Sequence, residues 1–144
     1  YQVIDPTGYL GGTLEMLGAL KQGQIVSVMG DRLLGSDKSS TQVEFYNEQV
    51  TLPFSAYKLA SATGAPVVVF FTHKDGPQSY QVQLTKVIRV PQIKGRRAED
   101  FAPFAQEFAG VLETFSRQHP YQFYNFHNMW SASQSQASPA DEES

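Results

Sequence analysis

Apolar residues recur along this chain in two rhythms. Phe101, Phe104, Phe108, Val111, Leu112 and Phe115 stand three and four residues apart, the spacing that gathers side chains on one face of an α-helix. Asp100 stands where a cap belongs. The segment Thr13–Lys21 repeats the rhythm with Leu14, Leu17 and Leu20, with Thr13 as its cap and Gly23 as its terminating glycine. A further helix is predicted from Leu52 to Thr63, with Thr51 capping, Pro53 in the first turn and Gly64 at the end.

The second rhythm belongs to strands. Pro66–Thr72 contains the unbroken run Val67-Val-Val-Phe-Phe71, and Ile25–Met29 is apolar without alternation. Both predict strands buried on two faces. Val43–Tyr46 predicts a shorter strand. After the turn residues Asp75-Gly76-Pro77, Tyr80, Val82, Leu84, Ile88 and Val90 share one parity, broken by Lys86. That alternation predicts a strand with one face on the core, antiparallel to its predecessor. Helices alternating with buried strands define an α/β fold: a mostly parallel sheet with covering helices, part of an α/β/α sandwich.

The chain has 144 residues, enough for one domain with a core. Residues 1–130 read as that domain. Residues 131–144 hold no aromatic, Leu, Ile or Val and read as a low-complexity, disordered tail. The net charge of −3 comes from Asp141, Glu142 and Glu143, which leave eleven acids against eleven bases in the body. That balance is no nucleic-acid footprint. Cysteine is absent, which removes disulfides, thiol catalysis and thiolate metal sites. No apolar run approaches the roughly 20 residues that span a bilayer.

Candidate chemistry is sparse. Asp31 and Arg32 directly follow the predicted Ile25–Met29 strand, and the carboxyl ends of strands are where open α/β sheets bind ligands; the other reading of the two is an ordinary solvated loop pair. Lys94, Arg96 and Arg97 precede the long helix, where cations oppose the helix dipole. They suit an anionic partner such as lipid headgroups or an acidic carrier protein, or form a solvated linker with no partner at all. His73, His119 and His127 have no metal-ligand spacing, so no metal site is expected. His73 and Asp75 sit at a turn and read as structural. Gly8, Gly11 and Gly12 lack the strand and lysine of a phosphate loop. The block Tyr121-Gln-Phe-Tyr-Asn-Phe-His-Asn-Met-Trp130 is so aromatic that it must be buried or meet a lipid or partner. Tyr121, Phe123, Phe126 and Trp130 are expected to pack on the fold, after Pro120 ends the helix.

Three blocks carry a family resemblance. They are Leu20-Lys-Gln-Gly-Gln-Ile-Val-Ser-Val-Met-Gly-Asp-Arg32; then Val43-Glu-Phe-Tyr46 with Leu52-Pro53, Leu59-Ala60 and Thr63-Gly-Ala-Pro-Val-Val68; and Pro120 to Trp130. In this order they resemble the C-terminal half of the lipid A late acyltransferases, within the lysophospholipid acyltransferase superfamily. Asn47 stands where that family usually has Gly after the aromatic pair.

The resemblance implies a sandwich of the glycerolipid acyltransferase type. It also implies transfer of a fatty acyl group from an acyl-carrier-protein or coenzyme A thioester to a hydroxyl of a lipid or glycolipid acceptor, with no separate cofactor. Asp31 and Arg32 match the block that binds the acceptor's polar group. A catalytic His, four residues and a carboxylate is implied upstream of Tyr1, since five residues beyond His73, His119 and His127 stand Gln78, Tyr124 and Ala132. The expectation is therefore a soluble, inactive C-terminal fragment of an enzyme working at the cytoplasmic face of the bacterial cytoplasmic membrane. The other reading is a non-catalytic α/β module that docks peripherally on a membrane or partner.

Overall fold

The structure is a computed structural model and describes residues 1–4, 12–33, 39–125 and 129–130. Its elements are α1 (Thr13–Lys21), β1 (Ser40–Phe45), β2 (Glu48–Pro53), α2 (Ser55–Thr63), β3 (Val67–Lys74), β4 (Tyr80–Ile88) and α3 (Ala98–Gln118). β1 and β2 form one antiparallel pair, β3 and β4 another. The predicted mostly parallel sheet with covering helices is therefore wrong: among the described residues there are two small antiparallel sheets and three helices. The error began at Ile25–Met29, which pairs with no strand among the described residues. Its apolar side chains lie largely open, with Ile25 96% exposed.

β1 bears out the strand predicted at Val43–Tyr46, starting earlier at Ser40 and ending at Phe45, whereas β2 went unread because it runs into the place where a helix cap was expected. Tyr46 and Asn47, at φ 54° and 63°, form a two-residue loop with Phe45 opposite Glu48. Two left-handed residues in succession are the chemistry of a primed hairpin turn, and Asn is one of the few side chains that tolerate that conformation. Val43, Phe45, Val50 and Leu52 point inward. β2 consumes Leu52 and Pro53, so α2 starts at Ser55 with Phe54 as cap, not Thr51. Gly64, at φ 76°, ends it as expected.

β4 is antiparallel to β3, as predicted, but its single-face assignment fails. The register shifts between Val69 and Phe70 because Thr85 is an extra residue. This bulge reverses the side of everything before it. Ile88 and Val90 are buried, whereas Tyr80, Val82 and Leu84 join Val68, Phe70 and Val87 on an exposed face. The bulge also lets Lys86 reach Glu107 of α3 at 2.8 Å.

α1 keeps its predicted bounds, with Gly12 rather than Thr13 as cap. The Gly23 N–H donates to the Leu20 carbonyl and the Gln24 N–H to that of Ala19, a Schellman ending. No α1 residue is fully buried. α3 supplies the core instead. Phe101, Ala105, Phe108, Ala109 and Leu112 pack on Val43, Phe45, Val50, Leu52, Phe54 and Tyr57, and Phe54 stacks on Phe101 with centroids 5.4 Å apart.

Of the closing aromatic block, Phe123 and Trp130 pack against the core, beside Phe45 at 5.9 and 6.4 Å. Met129 is fully buried. Tyr121 departs from expectation at 93% exposed, because it sits in the turn just after Pro120. Phe126, His127, Gly8 and Gly11 and the predicted tail 131–144 lie outside the described residues.

Candidate functional site

The extended segment from Gln24 to Arg32 and strand β3 face one another across an open groove of about 900 Å³. Ile25, Val26, Val28 and Met29 line one side, and Val67, Val69 and Phe71 the other. Phe108, Leu112 and Phe115 of α3 complete the lining with Tyr57 of α2. Phe71 stacks on Phe115 at 4.6 Å, which ties β3 to α3. The lining is overwhelmingly apolar, the character of sites that take hydrocarbon ligands.

Asp31 and Arg32 belong to the same lining. The Arg32 Nη2 donates to Asp31 Oδ2 at 3.0 Å and the Nε to Oδ1 at 3.4 Å. The fork and the charge of Asp31 hold the guanidinium pKa above its ordinary value. Two of five N–H donors are engaged, leaving three for a ligand oxygen. The pair is set by Gly30: a Cβ there would stand 3.0 Å from Phe108 Cζ. A hydrogen at position 30 lets the backbone lie against the ring and delivers Asp31 to the groove.

Lys94, Arg96 and Arg97 do not reach the groove. All three are exposed. Arg97 lies 3.9 Å from Glu99, and its backbone N–H donates to Asp100 Oδ2 at 2.9 Å. Asp100 thus serves the helix start from within the first turn, not as the cap itself. Glu99 and Asp100 answer the dipole that the cations oppose. The loop carrying them is pinned by buried Ser61, whose hydroxyl donates to the Pro91 carbonyl at 2.9 Å and accepts from the Ile93 N–H at 2.8 Å.

The structure brings His73 and His119 together, ring centroids 4.2 Å apart. The rings stack, so their faces meet rather than their in-plane nitrogen lone pairs. Asp75 is bound to Gln81 at 2.6 Å. Hydrogen bonds from Ser79 and Gln81 hold its carboxyl below the usual range. Among the described residues no group of three or more metal-ligating side chains converges. Sequence reasoning missed Gly30, Phe108 and Tyr57 as groove residues. The periodicity of Phe108 announced burial, and a groove wall and a core wall share that signal; Gly30 and Tyr57 carried no such signal.

The site is thus a mostly apolar groove with an acid–arginine fork in its lining. The chain matches the family of bacterial lipid A biosynthesis acyltransferases over residues 7–132 and belongs to it. Comparison with curated proteins gives no match. Membership brings acyltransferase chemistry, with an acyl donor and a lipid acceptor in general, and a bacterial setting. Among the described residues no helix is long and apolar enough to cross a membrane.

Proposed function

We propose that the chain contributes the acyl groove and the acceptor-binding pair of an enzyme that acylates a lipid or glycolipid hydroxyl. The observation that carries this reading is that Asp31 and Arg32 share one lining with an apolar groove of about 900 Å³. The donor is a fatty acyl thioester of acyl carrier protein or coenzyme A, which is a substrate and not a cofactor. The acceptor oxygen loses its proton to a general base and bonds to the acyl carbon. The carbon–sulfur bond breaks and the thiol leaves with a proton. No histidine here has a carboxylate five residues on, so the reading takes the base from sequence outside these residues and makes this chain alone inactive. Lys94, Arg96 and Arg97 contact an anionic partner at the cytoplasmic face of the membrane.

Arg32→Ala and Asp31→Asn, each made singly in the natural full-length sequence, test the pair. Loss of acyl transfer by tenfold or more, with KM for the acceptor raised, is expected from charge-assisted hydrogen bonds of this kind. Full activity in both variants removes them from the site. One observation favours the rival reading, a non-catalytic docking module: the exposed apolar face of β3 and β4. Co-sedimentation with anionic vesicles that is abolished by neutralising Lys94, Arg96 and Arg97, in a full-length protein without acyl transfer, would establish the module.

A further inference from the structure

Phe71 and His73 turn toward Phe115 of α3, with ring centroids 4.6 and 6.3 Å away. Alternation along β3 therefore sends Val68, Phe70 and Lys74 to the other face, where the register sets them beside Val87, Leu84 and Tyr80 of β4. The apolar and aromatic side chains of this face are all exposed, a contiguous patch of the kind that marks a protein or membrane contact. Lys74 stands at its hairpin end. At the other end Ile88 and Val90 are buried, which leaves exposed Arg89 on the side of Val87. No carboxylate stands among these positions, and Asp75, next in sequence to Lys74, is held by Gln81. Among the described residues neither Lys74 nor Arg89 makes an ion pair.

Charge and continuity decide the occupant. Unpaired cations at both ends of an apolar field match an anionic bilayer, their long stems lying on the patch and their heads among the phosphates. A tyrosine at the rim suits the same boundary. Val68 and Phe70 also line the groove, so the groove opens onto this face. We propose that the outer face of β3 and β4 docks on an anionic membrane, from which an acyl chain passes into the groove beside Val68 and Phe70. A protein partner seated here closes the groove mouth, whereas a bilayer supplies its ligand without a passage through water. The route rests on reading the groove as the acyl site; the docking itself does not.

The test uses the natural full-length protein and phosphatidylcholine vesicles with or without phosphatidylglycerol, read by co-sedimentation. Tyr80→Ser with Leu84→Ser should weaken binding to both vesicles by about tenfold or more. Lys74→Gln with Arg89→Gln should weaken only the anionic binding, by about fivefold per cation. All four side chains stand outside the core, so the melting temperature should hold. A Leu84→Cys thiol should react with a water-soluble maleimide and become protected once anionic vesicles are added. Vesicle binding unmoved by either pair overturns the proposal, and so does binding lost only on neutralising Lys94, Arg96 and Arg97. A thiol shielded without vesicles gives the face to other protein, and a discrete dimer split by the serine pair gives it to a second copy; each overturns the proposal as well. None of these readings needs turnover. Full activity of Arg32→Ala and Asp31→Asn would therefore remove the groove reading separately, leaving the docking to its own result.

Discussion

Tyr46 illustrates how single residues are held in place here. A bulky aromatic at φ 54° is uncommon outside glycine and asparagine, and three contacts to α3 keep it there. Its N–H donates to Glu113 Oε2 at 2.9 Å, its hydroxyl shares a hydrogen bond with Ser116 at 2.8 Å, and Arg117 lies 4.7 Å over its ring. The Tyr46 amide first, and Arg117 second, hold the Glu113 carboxyl below its ordinary pKa. A carboxyl depressed in the folded state stabilises that state above its unfolded pKa, and the contribution vanishes as pH falls through the folded value. Glu113→Gln should therefore melt below the parent at neutral pH. The gap should narrow as pH falls below the ordinary glutamate range and close once it passes the depressed folded value. A gap that stays constant across an acid titration of thermal melts would break the link.

Elements are joined by small, buried or close-packed groups. Ser61 is the clasp between α2 and the loop leading to α3, with two hydrogen bonds from one buried hydroxyl. Ser61→Ala strands a carbonyl and an N–H, and denaturant titration should show a loss of about 1–3 kcal/mol. Gly30 is the clasp between the groove segment and α3. Gly30→Ala places a methyl group against Phe108, whose ring lies 6.2 Å from Phe71, and overpacking of this kind costs about 1–3 kcal/mol. The pair Asp31 and Arg32 should move with the displaced backbone. Acyl transfer by the full-length protein should then fall more than its stability explains, and normal activity at normal fold would sink this account.

Across the whole molecule, one core joins α3 to both hairpins and to the closing aromatic block. Trp130 reports on that union because it is the sole tryptophan and packs near Phe45 at 6.4 Å. Its emission should be blue-shifted and shielded from iodide without lipid. Phe45→Leu should redden it by loosening the contact while keeping an apolar side chain. Red, readily quenched emission in the parent would contradict the packing seen for Trp130. The outer face of β3 and β4 has the opposite character. Val68, Phe70, Val82 and Leu84 are all exposed, and apolar patches of this kind drive association. Leu84→Lys should lower concentration-dependent light scattering while leaving the melting temperature near that of the parent, since the side chain stands outside the core.

Residue spacing by itself determined the helices α1 and α3, the β3–β4 reversal at Asp75-Gly76-Pro77, and the pairing of Asp31 with Arg32, because each is written within a few neighbouring positions. Periodicity and adjacency are local quantities, and local rules suffice for them. The three ordered blocks also carried the family. Other features depended on the packed chain. Non-alternating Ile25–Met29 satisfies a buried strand and a groove wall equally, and its distance from any partner strand decides between them. Parity along β4 could not register the Thr85 bulge, because one inserted residue reverses a face without changing composition. The hairpin at Tyr46 and Asn47 needed α3 to hold a tyrosine in the left-handed region. Tyr57 became a groove residue only once α2 and α3 had packed together, for a cavity is a property of three-dimensional neighbours and not of sequence.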